Sequence, residues 1–203
     1  MLGPLLELNF MPSAPSPVVC STSAQLIKAI SEQDAWALDQ HFLGTGMATP
    51  THCWRPSEEA APTQELRALL RYWGGLRKGD GLPHYAGFDV LDIPSAVGFL
   101  MLLDVIDGGE DFHYRVYGTG IAQDTGFDMT GKRLSSVPTM APLAAYFMAS
   151  YRAVIARRAA LLAYHQPPPG QPIRLWVRLI LPLINDRKEI SRLLVGNMPR
   201  AAV

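Results

Sequence analysis

The residues of this chain whose types and spacing suit chemistry are arginines set among aromatics, which makes their chemistry recognition of an anion rather than bond making. Arg192 and Arg115 lie inside apolar, strand-like stretches. A guanidinium stays ionised when buried and needs a carboxylate, a phosphate or several carbonyl groups around it. Tyr114, Tyr146, Phe147 and Tyr164 would supply the walls of such a pocket, or simply fill a core. Arg115 alternates with Tyr114 and so points to the opposite strand face. That makes Arg192 the preferred anion contact and leaves Arg115 as the alternative, held in a salt bridge.

Other chemistries lack their residue sets. His41, His52, His84, His113 and His165 are scattered without a metal-ligand spacing. Gly118-Thr119-Gly120 is followed by Gln123 where a dinucleotide loop has its third glycine, and no lysine follows at phosphate-loop spacing, so a turn is expected. No serine sits in a nucleophile elbow, and Asp124 with Asp128 reads as a capping and turn pair. The expectation is a protein that is not an enzyme. Cys20 and Cys53 have neither disulfide nor zinc spacing.

The chain has 203 residues, 48% of them hydrophobic, enough for one domain plus an appendage. Lys plus Arg and Asp plus Glu are balanced at 18 each, so no global field draws a nucleic acid or an anionic membrane, and neither is expected as a partner. The start has no basic region before its apolar residues, and Pro4 and Glu7 interrupt it; no small residue precedes Cys20. With no apolar run of about 20 residues, the expected compartment is the cytoplasm.

The elements that must position these residues follow from periodicity. Residues 1–62 read as an N-terminal extension: Pro/Ser/Thr/Gly-rich linkers over 11–23 and 44–63 flank one amphipathic helix over Ser23 to Phe42, which needs a surface to lie on. Residues 63–203 read as the domain. Thr63 caps a helix bearing Leu66, Leu69, Leu70 and Trp73 that stops at Gly74-Gly75. Phe99 to Ile106, a turn at Asp107-Gly108-Gly109 and Phe112 to Gly118 form a hairpin. Phe112, Tyr114 and Val116 share one strand face. Gly118 ends that strand, and Thr119 is expected to cap a short helix over Ile121 to Thr125. Pro138 to Arg158 carries a long helix, and Ala159 to Gln166, Gln171 to Ile184 and Glu189 to Asn197 complete a meander.

The stretch FHYRVYGTGIAQDTGFDMTGKRL, Phe112 to Leu134, together with VRLILPLI and EISRLLVGN, resembles the PAS superfamily, in particular its compact bacterial PAS-like family with a YR-x-x-GT...G-x-D-x-TGK-x-L pattern. The resemblance covers about residues 64 to 198. It implies an α+β fold, one antiparallel sheet with helices on one face, here with an N-terminal helical extension. It also implies a sensory or regulatory module that binds a small-molecule ligand or a partner protein between or over sheet and helices and acts through a separate output protein. The alternative is a non-catalytic interaction module whose packed core binds nothing small. Haem-binding members use a histidine on or near the long helix, and Thr139 to Arg158 contains none; light-sensing members use a reactive cysteine in the middle helical region, and both cysteines lie upstream. Haem and flavin are therefore disfavoured and the cofactor is unknown.

Turn lengths suggest a register for the last three strands. Tyr164 would face Ile173, Leu183 would meet Ile190, and Arg192 would sit opposite Leu181 on the core face. The other face then collects Leu161, Trp176, Ile180, Leu193 and Val195, a patch too apolar for water, with Arg174 and Arg178 near its rim. Trp176, Ile180, Leu193 and Val195 are accordingly expected at a homodimer interface, covered jointly by the N-terminal helix and a second subunit.

Overall fold

The computed structural model describes residues 17–171 and 173–200, with side chains from residue 23 onward; the reading of the first residues as no leader lies outside them. Six antiparallel strands run β1 Thr51–Trp54, β2 Leu100–Ile106, β3 Asp111–Tyr117, β4 Leu161–His165, β5 Leu175–Ile184 and β6 Ile190–Arg200. Their order in the sheet is β1-β4-β5-β6-β2-β3. The helices are α1 Pro17–Glu32, α2 Ala35–Phe42, α3 Gln64–Gly75, α4 Thr119–Thr125 and α5 Ala141–Arg157, joined in places by short 3-10 turns. This is the α+β architecture expected from the sequence, an antiparallel sheet with helices and an N-terminal helical extension.

Local chemistry explains most boundaries. The Thr63 side chain accepts a hydrogen bond from the Leu66 amide at 3.3 Å and starts α3. Pro142 lies in the first turn of α5, where a missing N–H costs nothing, and Arg158 ends that helix at a left-handed φ of 49°. Between α1 and α2, Gln33 adopts a φ of 57° and Asp34 caps α2 by accepting from the Ala37 amide at 3.0 Å. The single helix expected over Ser23 to Phe42 is thus two helices with a capped corner.

Two further expectations are corrected. The stretch 44–63, read as linker, contains β1, which pairs with β4 at the sheet edge with His52 opposite Ala163. At the Gly-Thr corner, Gly118 rather than Thr119 is the cap residue of α4, no side chain caps that helix, and Thr119 is exposed. Gly118 is required for close approach: a Cβ there would lie 2.3 Å from the Gly98 carbonyl oxygen.

The register differs from the one inferred from turn length. Tyr164 faces Val177, and Leu181 faces Leu194 with Leu183 opposite Arg192. The Pro167–Pro169 run cannot donate to a ladder, so β5 starts pairing later than the short-loop register assumes. Both displacements are even, which keeps Tyr164, Leu181, Leu183 and Arg192 on the face that alternation assigns them; Ile190 changes face, because the β5–β6 ladder is irregular at Leu183 and Ile184 and it pairs with Ile184 rather than Leu183.

Helices cover both faces of the sheet rather than the one expected, and the N-terminal helix covers the Trp176 face as expected. One face, with Leu162, Leu179, Leu181 and Leu194, packs against Leu66, Leu69, Leu70 and Trp73 of α3. Gly196 makes room for that helix, since a Cβ would come within 2.6 Å of a Leu66 methyl and 2.8 Å of a Leu69 methyl. The opposite face forms a second core with α4, α5 and the α1 residues Leu26, Ala29 and Ile30. Trp176, Ile180, Leu193 and Val195 lie in this core, at most 3% exposed within the single chain. Their expected role at a dimer interface is therefore corrected: the patch is filled from within, and the motive for a homodimer on this face disappears.

Polar contacts fix α1 against α5. Arg152 donates to Ser23 Oγ at 3.1 Å and to the Gly109 carbonyl at 2.8 Å. The Arg157 guanidinium stacks 4.6 Å from the Trp54 ring centre, while Trp54 Nε1 donates to the Ile30 carbonyl at 3.2 Å.

Candidate functional site: a cavity beneath the long helix

Strand alternation sends Trp176, Arg178 and Ile180 of β5 toward α5. Arg178 is 6% exposed. Its Nε donates to Asn197 Oδ1 at 3.1 Å across the β5–β6 ladder, and its guanidinium carbon stands 3.9 Å from the centre of the Phe147 ring on α5. Its Nη1 is buried with no hydrogen-bond partner. An ion taken out of water costs several kcal/mol unless it is paired, and an amide oxygen plus an aromatic face offset only part of that.

His165, the last residue of β4, lies diagonally from Arg178 on the same face and packs edge-on against the same Phe147 ring at 5.1 Å. Its Nδ1 faces the Gln166 carbonyl at 3.3 Å and carries the proton toward it, so Nε2 presents a lone pair; Nε2 is buried and without a partner. Burial, and then the Arg178 charge, hold the His165 pKa well below the usual histidine value, so the ring is neutral.

The Arg178 and His165 side chains both line a cavity of about 70 Å³ whose walls include Met101, Tyr114, Tyr117, Leu143 and Trp176. No aspartate or glutamate lines it. Burial raises the pKa of Tyr114 and of Tyr117, which keeps both as neutral hydroxyls. The arrangement offers one fixed positive charge, one lone pair and apolar walls. Among the cavity's lining residues no nucleophile and base are in hydrogen-bond contact. Among the described residues, no three His, Cys, Asp or Glu side chains cluster as a metal site, and no helix is long and apolar enough to cross a membrane.

The structure brings together only part of the expected site. Tyr114 and Phe147 line the cavity. Tyr146 is buried beside it, with its hydroxyl 2.9 Å from His52 Nε2, and burial lowers the His52 pKa to about 4. Tyr164 is on the other face, packed with the α3 core. Arg192 also faces that side: its Nε donates to Asp104 Oδ1 at 2.9 Å, and its guanidinium lies 4.3 Å from the Tyr85 ring centre. Arg115 donates to Asp104 Oδ2 at 2.8 Å. Neither arginine reaches the cavity, because the anion each requires is already supplied by β2.

A bulge explains the rest. Leu103 faces Tyr114 while Leu102 faces Val116, leaving Arg115 as the extra residue. After it, Tyr117 joins Phe112 and Tyr114 in the core under α5, and Val116 turns to the α3 side. The cavity residues that sequence reasoning missed as a candidate site are Arg178, His165 and Asn197. A signal was present: Arg178 sits amid the apolar run LWVRLILPLI and shares strand parity with Trp176 and Ile180.

A second, open groove of about 630 Å³ holds Arg55, Arg71, Arg77 and Arg158. Its charges have local partners: Arg71 pairs with Glu58 and Arg77 lies 4.2 Å from the Trp73 ring centre.

A family model described as PAS domain matches residues 61–198. No protein with a curated description shows significant similarity to the chain. A solved structure titled "Structure of an RNA-binding Light-Oxygen-Voltage Receptor" is similar at 11% identity with a TM-score of 0.39, over 90% of this chain and 60% of that one. Since the matched family model spans more than half of its residues, the chain belongs to the PAS domain family, a family of sensory and signalling modules.

Proposed function

We propose that the protein is a sensory module that binds a small anionic molecule in the cavity beneath α5 and passes on the occupied state, as a change of shape, to a separate output protein. The observation that carries this reading is the buried Nη1 of Arg178, which has no partner and belongs to a side chain lining a cavity without a carboxylate. A bound anion would complete its coordination. The volume is well below the roughly 300 Å³ at the lower end of sites for drug-sized ligands, so the ligand is a small acid rather than a nucleotide-sized molecule.

The relay follows from what α5 touches. Phe147 carries the guanidinium; the adjacent Tyr146 contacts His52 of β1 and packs against Phe42 of α2, with ring centres 5.6 Å apart. A ligand that draws Arg178 from Phe147 therefore acts on the elements that hold the N-terminal helices. Thermal denaturation and native mass spectrometry with a panel of small anions test the reading. Wild type should gain stability saturably with at least one of them and Arg178→Met with none. Equal, negligible responses of both proteins to every anion would sink it.

A second reading, an interaction module with no small ligand, is favoured by Trp36 and Leu43, which are 73% and 72% exposed at α2. Large apolar side chains so exposed suit a protein partner. Under that reading Trp36→Asp abolishes partner capture while Arg178→Met leaves it intact.

A further inference from the structure

We infer that the cavity ligand is a short-chain hydroxycarboxylate, a monoanion whose carboxylate meets Arg178 and whose hydroxyl donates to Nε2 of His165. This rests on the anion-binding reading above and adds the identity of the second contact. Two side chains that line this cavity each carry a buried polar atom without a partner, and the two are opposite in kind: Nη1 of Arg178 is a donor and Nε2 of His165 is an acceptor. A plain carboxylate satisfies the first and leaves the second empty. A molecule with both an anionic oxygen and an O–H satisfies both.

Charge and shape narrow the class. The cavity supplies one cation and no acidic side chain. An amino acid would bring its ammonium beside Arg178 with no counter-charge, at the cost of a buried unpaired ion. A dicarboxylate would bring a second negative charge where the remaining basic group, His165, is held neutral by burial and by Arg178. Met101, Val137, Leu143 and Trp176 form apolar walls that accept a hydrocarbon chain, and about 70 Å³ keeps it short. Arg178 and His165 both pack against the single ring of Phe147, which places the two groups within reach of one short hydroxy acid. Asn197, which already accepts from Arg178 Nε, holds the guanidinium in place rather than competing for the ligand.

Isothermal titration of the full chain with four molecules of matched size tests this: 2-hydroxybutyrate, 3-hydroxybutyrate, butyrate and 2-aminobutyrate. One of the two hydroxy acids should bind about tenfold or more tighter than butyrate, the usual effect of leaving a buried polar atom unsatisfied, and the amino acid weakest of all. In His165→Phe the hydroxy acid should fall to the affinity of butyrate, while butyrate itself changes by less than about twofold, an effect set by the same hydrogen bond. Arg178→Met should remove binding of all four. Equal binding of butyrate and both hydroxy acids by wild type, or tightest binding of 2-aminobutyrate, overturns the hydroxycarboxylate assignment and leaves the anion site standing. No binding of any of the four, with Arg178→Met behaving like wild type toward other anions as well, overturns both. The decisive comparison is between ligands on the wild-type chain, so it holds even if a variant fails to fold.

Discussion

Arg178 and Arg192 stand on neighbouring strands, on opposite faces of one sheet, each among leucines and isoleucines, and their surroundings differ in one respect. Arg192 has a carboxylate, Asp104, which it shares with Arg115. Arg178 has an amide, an aromatic ring and an empty space. The α3 face is closed by leucines down to a Gly196 that no larger residue can replace without displacing Leu66 and Leu69. The α5 face keeps buried polar atoms of Arg178, His165 and Tyr151 without a partner. An arginine paired with a carboxylate on an interior strand reads as scaffold, and one without a carboxylate beside a cavity is a candidate site. Burial or sequence context alone does not separate the two.

The largest expected effect lies on the closed face. Leu69→Ala removes a fully buried side chain from the α3 core and should cost about 2–5 kcal/mol of stability in denaturant unfolding, while ligand affinity of the folded fraction stays unchanged. A comparable loss of affinity would mean that the two faces are not independent.

The next effect belongs to the α5 side and appears with pH. His52 is partly buried, and desolvation lowers its pKa to about 4 from an ordinary 6.5. The unfolded chain therefore binds the extra proton first as pH falls. The contribution of His52 is complete above about pH 6.5 and is lost toward pH 4, by up to about 3 kcal/mol. His165 acts in the same direction. Unfolding measured at pH 7.5 and pH 5 should show a smaller drop for His52→Gln than for wild type; equal drops would remove His52 from the account.

Substituting the two arginines tests the comparison itself. Arg178→Met should stabilise the ligand-free protein by on the order of 1 kcal/mol or more, as replacement of an ill-compensated buried charge does. Arg192→Met should cost about 0–1 kcal/mol, since the pair is partly exposed and Asp104 keeps Arg115. A ligand-free Arg178→Met protein less stable than wild type would show that Asn197 and Phe147 already compensate the charge. The smallest effect is expected at the corner of α4. Thr119 is exposed and caps nothing, so Thr119→Ala should shift stability by less than about 0.5 kcal/mol. A larger loss of melting temperature would restore the capping role that the sequence suggests.

Several elements were legible in the residues. The Thr63 cap and the leucines of α3 mark that helix without reference to anything distant, and Asp107-Gly108-Gly109 marks the β2–β3 hairpin. Alternation put Trp176, Arg178 and Ile180 on one face and Leu179, Leu181 and Arg192 on the other, and the even register displacements left that division intact. These features depend on backbone periodicity and on contacts a few residues apart, which is why sequence alone determined them. The covering of each face depends on which helix lies over it, and nothing local to a strand specifies that. Only the tertiary structure placed α3 on the leucine face and α5 with α1 on the other, buried Trp176 within one chain, inserted the Arg115 bulge that brings Tyr117 into the core beside the cavity, and gave Asp104 to Arg192 while leaving Arg178 without a carboxylate. Side-chain direction is fixed by the pleat of a strand, whereas compensation of a buried charge is fixed by residues far away in sequence that folding brings against it.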